Sequence, residues 1–222
     1  MKPGVAPVSV LLVDDHAVVR EGYRRLLERS PDISVAGEAA SAADAYQAFC
    51  RLAPDIVVMD ISLPDVSGIE AMRRMRAREP RARVLMFSMH EEPVFARRAL
   101  DAGASGYITK ASAPEVLVEA VRAVVQGKAY LSSDIARDLA LGGGLDPGAE
   151  AVQRKLSHRE FEIMRLLVAG YSLGAIAERL GLSYKTVANH QSAIRHKLGA
   201  ETALQLLQIA GRMGIVAERP AT

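Results

Sequence analysis

Between Ile56 and Gly68 the chain reads IVVMDISLPDVSG, the stretch that most narrows what it can fold into. Four apolar residues, β-branched except for Met59, run straight into Asp60, and Ser62, Leu63, Pro64, Asp65 and Gly68 then supply turn chemistry. Such an uninterrupted apolar run is a strand covered on both faces, so Asp60 stands where a buried strand ends. Taken alone, an aspartate there is a turn-capping residue. In an open parallel sheet, however, the carboxyl ends of the strands form the ligand edge, and a carboxylate on that edge is placed for chemistry.

The flanking segments repeat the pattern. Val8–Val13 is another continuous apolar run, ending in Asp14-Asp15-His16. Helical spacing follows with Val19, Tyr23, Leu26 and Leu27 and stops at Ser30-Pro31. Ile33–Ala39 predicts a second strand and Ala42–Leu52 a helix. A third helix follows Gly68 through Ile69, Met72 and Met75. Residues 83–87 predict strand four, 93–102 helix four, 106–109 strand five and 113–126 helix five. Five strands alternating with five helices imply a parallel sheet with helices on both faces, because parallel neighbours need crossovers. Asp14 and Asp15 then end strand one, Asp60 strand three, Ser88 strand four and Lys110 strand five, all on one edge.

Three acids converging on one edge repel one another unless a cation joins them, which implies a hard divalent metal, Mg²⁺. An ammonium from Lys110 and a hydroxyl from Ser88 complete a pocket for a transferred phosphoryl group, with Asp60 as nucleophile. A metal-dependent phosphatase using the same edge is the alternative. The absence of an evident acid-base partner near Asp60 speaks against it.

Composition limits the other classes. Half of the 222 residues are hydrophobic, enough for ordinary cores, and no apolar run approaches the roughly 18 residues a membrane span needs. Val8–Val13 is too short for a signal peptide, so a cytoplasmic protein without a membrane partner is expected. The single Cys50 has no disulfide partner within the chain. The net charge of +2 conceals a division: residues 153–222 hold ten Lys or Arg against five acids, the remainder eighteen against twenty-one. A basic part beside an acidic one suggests an anionic polymer as partner of the former.

Residues 127–154 contain Gly142-Gly143-Gly144 and Asp146-Pro147-Gly148 and predict the domain boundary, although Tyr130–Leu141 retains helical spacing. Beyond Leu156 the period is helical throughout. Ser157-His158-Arg159-Glu160 is a capping box for a helix burying Phe161, Met164, Leu167 and Val168. Ser172 opens a short helix to Leu180, Gly181-Leu182 turns the chain, and Ser183 caps a longer helix to Leu198, the helix-turn-helix plan. Thr202 and Gln205 cap a fourth helix whose inward residues are expected to be Leu204, Leu207 and Ile209. The third helix turns Val187, Ile194 and Leu198 inward, leaving donors, amides and cations but no acid on its other faces, a bias toward DNA. Lys185, Thr186, His190, Arg195 and Lys197 suit phosphates, Asn189 suits an adenine edge, and Ser192 and the Ala188 methyl add weaker selectivity. A regulator acting by protein contacts alone, its basic bundle being structural, is the remaining alternative.

VDDH at 13–16, MDISLPDVSG at 59–68, Ser88 and YITK at 107–110 resemble the receiver domain of bacterial two-component response regulators over residues 8–126. LSHRE at 156–160, AIAERLGLSYKTVANH at 175–190 and HKLG at 196–199 resemble the DNA-binding domain of the NarL/FixJ (LuxR-type) regulators. The resemblance implies an α/β receiver domain (a doubly wound five-stranded parallel sheet of order 2-1-3-4-5) and an all-α helix-turn-helix domain of four helices; with the composition of the stretch between them, the receiver is expected over residues 1–130, a linker over 131–152 and the helix-turn-helix domain over 153–222. It implies Asp60 as phosphoacceptor, Asp15, Asp60 and the Ser62 carbonyl as Mg²⁺ ligands, Asp14 supporting the metal through water, and Ser88 and Tyr107 as switch pair. Its partners would be a sensor histidine kinase or phosphotransfer protein, double-stranded promoter DNA, a second copy when phosphorylated or on DNA, and RNA polymerase. By the same resemblance the chain is a transcription factor, not an enzyme. Where the families commonly have Pro after the lysine and Lys after the Thr-Val pair, this chain has Ala111 and Ala188. The first change removes the reason to expect a cis peptide; the second removes a cationic DNA contact.

Overall fold

The computed structural model describes residues 6–64, 66–141 and 155–212. The chain forms two compact units, residues 1–142 and 143–222. In the first, β1 (Val8–Val13), α1 (Ala17–Glu28), β2 (Ile33–Ala39), α2 (Ala42–Leu52), β3 (Ile56–Met59), α3 (Gly68–Arg78), β4 (Val84–Ser88), α4 (Pro93–Asp101), β5 (Gly106–Thr109) and α5 (Pro114–Val125) alternate as the apolar runs and helical spacings require. All strand pairs are parallel. The central strands β3 and β4 are buried at every position, the condition for which continuous apolar runs are selected.

Successive strand residues face opposite sides. On one side Val10, Leu12, Ile56, Val58, Leu85, Phe87 and Ile108 join Leu27 of α1 and Leu117, Ala120, Val121 and Val124 of α5 in a single apolar cluster. Buried Ala45, Phe49, Met72, Met75, Phe95 and Ala99 come from α2, α3 and α4. Each large apolar side chain so covered contributes about 1.5–3 kcal/mol. The turn after β3 is held as tightly: the Gly68 N–H donates to Ile61 O at 2.9 Å, and a Cβ at Gly68 would lie 1.9 Å from Asp60 O. Only glycine permits that approach, and it fixes where the Asp60 backbone sits.

The sheet has six strands, in the order β2-β1-β3-β4-β5-β6, where five were expected. β6 (Tyr130–Leu131) pairs with β5, Gly106 opposite Tyr130 and Tyr107 opposite Leu131. It leads into α6 (Ser133–Leu141), whose Ile135 is fully buried and which packs on α4 and β5. Thr109 Oγ1 donates to Asp134 Oδ2 at 3.1 Å. Residues 131–141, assigned to the linker on composition, therefore belong to the first unit. A two-residue strand is too short to show a period, and its pairing depends on an edge that only the folded β5 creates. The Gly- and Pro-containing turns expected at 142–148 lie outside the described residues.

In the second unit, α7 (His158–Val168), α8 (Leu173–Arg179), α9 (Tyr184–Leu198) and α10 (Ala203–Arg212) follow one another. Ser157 Oγ accepts from Glu160 N–H at 3.2 Å while Glu160 Oε2 accepts from Ser157 N–H at 2.7 Å, the reciprocal box. Phe161, Met164 and Val168 are buried as expected, with Ile163 and Leu166; Leu167 is half-buried. Gly199 closes α9 at φ 65°. On α10 the expected face is displaced: Leu206 and Ala210 are buried, while Leu204 and Leu207 are exposed and Ile209 is half-buried. The helix offers two apolar stripes, 204/207 and 206/210, and packing against α7 and α9 decides which one turns inward.

Candidate functional site

Two sites stand out, one in each unit. At the carboxyl edge of the sheet, Asp60 N–H donates to Val13 O at 2.9 Å and Lys110 N–H to Ser88 O at 2.7 Å, so the ladder itself aligns these strand ends. Lys110 Nζ donates to Asp14 Oδ2 at 2.5 Å and to Asp60 Oδ2 at 2.7 Å. The side chains of all three are at least nine-tenths buried. Asp60 Oδ1 accepts from Ser62 N–H at 3.2 Å. Asp14 Oδ1 accepts from His16 N–H at 2.9 Å, and Arg20 Nη1 donates to Asp14 O at 2.6 Å.

Burial raises the Asp60 carboxyl above its usual range against the pull of Lys110, and Asp14 adds to the rise. Burial also lowers Lys110, but the charge of Asp60 and the hydrogen bonds to Asp14 and Asp60 outweigh it and leave the amine raised, hence an ammonium. The edge thus keeps a fixed cation against buried carboxylates.

Asp15 is more open, with 30% of its side chain exposed. Its Oδ1 is nonetheless a buried atom without a hydrogen bond, although it lies within ion-pair distance of His16 Nδ1, 2.7 Å away. Ligand atoms of Asp14, Asp15 and His16 lie within 4.8 Å of one another, whereas Asp60 joins this group through Lys110.

Ser88 and Tyr107, both fully buried, meet at one residue that sequence reasoning missed. His90 N–H donates to Ser88 Oγ at 3.2 Å, and Tyr107 OH donates to His90 O at 2.7 Å. The His90 ring stacks on Phe95 with centroids 4.0 Å apart, and its Nε2 lies 3.2 Å from Ser62 Oγ. Burial pushes the Tyr107 phenol above its usual range, so it remains a donor. No cis peptide occurs among the described residues, Lys110-Ala111 included.

In the second unit α9 buries Val187 and Ile194. Lys185, Asn189 and Ser192 are exposed; Thr186, Ala188, His190 and Arg195 are half-buried. Thr186 Oγ1 lies 2.8 Å from Ser183 Oγ, so its hydroxyl serves the cap. Lys197 Nζ donates to Glu160 Oε2 at 2.7 Å, which ties this cation into the fold. His190 is lowered by burial, with Arg159 and Lys197 adding to the effect and Glu160 opposing it, so its imidazole is neutral near pH 7.

Residues 10–122 match the response regulator receiver domain and residues 154–210 the luxR family of bacterial regulatory proteins. The chain belongs to the response regulators. It joins a receiver domain to a LuxR-type helix-turn-helix DNA-binding domain, the composition of transcriptional regulators of two-component systems. This response regulator is 38% identical over 209 residues to the response regulator UvrY of Escherichia coli (strain K12), covering 94% of this chain and 95% of that one. A LuxR-family two-component response regulator from Aurantimonas sp. SI85-9A1 superposes with a TM-score of 0.61 at 49% identity, over 62% of this chain and 98% of that one. The response regulator RcsB in complex with DNA gives 0.58 at 26% identity, over 93% and 98%. Among the described residues no helix is long and apolar enough to cross a membrane.

Proposed function

We propose that this response regulator accepts a phosphoryl group on Asp60 from a histidine kinase or phosphotransfer protein, works in the cytoplasm, and in the phosphorylated state binds promoter DNA through α9. The observation that carries the reading is Lys110 held between Asp14 and Asp60 at the strand ends. Asp60 supplies the nucleophilic oxygen, Lys110 is poised to follow the new negative charge, and the Ser88 hydroxyl turns toward the phosphoryl oxygens. Because Ser88 Oγ receives the His90 N–H, that turn would loosen the link through His90 to Tyr107.

The acidic edge fits Mg²⁺: Asp15 Oδ1 is a buried oxygen without a hydrogen bond, and hard cations take such oxygens. Asp15, Asp60 and the Ser62 carbonyl would hold the ion, Asp14 supporting it through water. Bound there, Mg²⁺ supplies charge neutralisation for the transferred group. A groove of about 580 Å³ runs from Lys110 along Val18, Val19, Tyr23 and Leu26 to Met89 and Pro114, suited to a phosphodonor helix.

On DNA, Lys185 is the most available phosphate contact, with Arg195, Thr186, His190 and Lys197 beside it; Asn189 reads a base edge, with Ser192 and Ala188 adding selectivity. The exposed Leu204 and Leu207 suit a second copy, which would set two α9 helices about 34 Å apart, and RNA polymerase is the further partner on the promoter. Acetyl phosphate with Mg²⁺ should add one acid- and base-labile phosphoryl group to the wild type, none to Asp60→Asn, and strengthen DNA binding only in the former. Robust labelling of the Asn variant removes the assignment.

A further inference from the structure

Tyr184 is the first residue of α9 and has 62% of its surface exposed. The other Tyr and Phe residues of this chain are buried or half-buried: Tyr23 sits edge-on to Phe87 at 4.5 Å, and Arg179 lies 5.4 Å over Tyr171. Among the described residues Tyr184 has no such neighbour, and its hydroxyl takes no hydrogen bond, because the α9 cap closes without it. Thr186 N–H donates to Ser183 Oγ at 3.0 Å, and the two hydroxyls engage each other.

Helical side chains lean toward the N-terminus, so the Tyr184 ring stands ahead of Lys185 and Asn189, at the end of a recognition helix that meets base edges. Residues four apart share a face, and one turn on stands Ala188, whose side chain stops at Cβ and leaves the ring uncrowded. No acid lies in the first turn of α9 to repel a phosphate. An exposed ring beside a methyl is an apolar surface, and the only apolar group on a major-groove edge is the 5-methyl of thymine.

We propose that Tyr184 is a specificity-determining residue, its ring and the Ala188 methyl together reading the 5-methyl group of a thymine. The proposal rests on the DNA-binding reading of α9. The full chain, treated with acetyl phosphate and Mg²⁺, is first used to select preferred duplexes from a randomised pool, and each thymine of the selected site is then replaced by deoxyuridine, which deletes only the methyl. At one thymine per recognition helix the replacement should weaken wild-type binding about fourfold, the worth of one buried methyl group. Tyr184→Ala should be indifferent to that replacement, and Tyr184→Phe, which keeps the ring, should respond as the wild type does. The proposal is overturned if wild type and Tyr184→Ala respond alike at every thymine. It is equally overturned if Phe and Ala variants weaken all duplexes uniformly, which would make Tyr184 a phosphate contact through its hydroxyl. A wild type that selects no sequence at all sinks the DNA-binding reading itself, a result distinguishable from both.

Discussion

Lys110 holds two carboxylates at once, and with all three side chains at least nine-tenths buried its removal leaves Asp14 and Asp60 facing each other without a counter-ion. Breaking a buried ion pair by deleting one partner costs about 3 kcal/mol or more. Lys110→Ala is therefore expected to lose about that much stability without divalent cations and to recover more of it on adding Mg²⁺ than the wild type gains, since the ion restores the missing charge. Urea unfolding with and without Mg²⁺ measures this; an identical Mg²⁺ increment in both proteins would show that the carboxylates are not the metal's. The same variant should accept phosphate yet fail to strengthen DNA binding. Residues of this kind are legible in sequence because strand ends concentrate them: Asp14, Asp60 and Ser88 each follow an apolar run, and Lys110 follows the short strand GYIT. His90 was not legible. It touches Ser62, Ser88 and Tyr107 through atoms of its backbone and ring, and a histidine two residues beyond a strand end carries no periodic signal.

Among the elements, α6 and α7 give the sharpest tests. If α6 belongs to the first unit, Ile135→Ala should destabilise that unit by about 3 kcal/mol, because a fully buried large residue is cut back to a methyl. A linker residue would cost nothing measurable in the same urea titration. For α7, the Glu160 carboxyl is subject to burial, which raises it, but Lys197 and the Ser157 N–H and hydroxyl prevail and hold it below its ordinary value. A carboxyl depressed on folding stabilises the fold above its unfolded pKa and loses that contribution as pH falls through the folded value. The second unit should thus weaken on acidification from about pH 4.5 downward. Glu160→Gln, about 1 kcal/mol less stable at neutral pH through loss of the cap charge, should converge with the wild type in acid. Parallel stability curves across that range would assign Glu160 no charged role. The SHRE box and the helix-turn-helix spacing are readable since caps and turns are local chemistry. The β6 pairing and the inward face of α10 are not, because both are chosen by neighbours distant in the chain.

At the scale of the whole molecule, charge and apolar exposure divide the labour. The basic second unit carries an acid-free α9 in a chain whose remainder is net acidic, a split that favours DNA for one part without drawing the other onto the polyanion. A single small recognition helix buries little, so on the proposed reading promoter affinity comes from two copies acting together. The residues available for that are Leu204 and Leu207, 64% and 44% exposed, one helical turn apart on α10 and not needed by the core, which uses Leu206 and Ala210. Replacing both with Gln keeps helix propensity and charge while removing the apolar stripe, so the unit should fold unchanged. The double variant is expected to bind a duplex with one half-site as the wild type does. On a duplex with two half-sites one helical turn apart it should lose roughly a hundredfold, because the second binding event is no longer intramolecular. Titration of the phosphorylated full chain against both duplexes separates the outcomes: loss on the two-site duplex alone assigns the stripe to a second copy, whereas equal affinity of wild type and variant for it means that the stripe joins no copies.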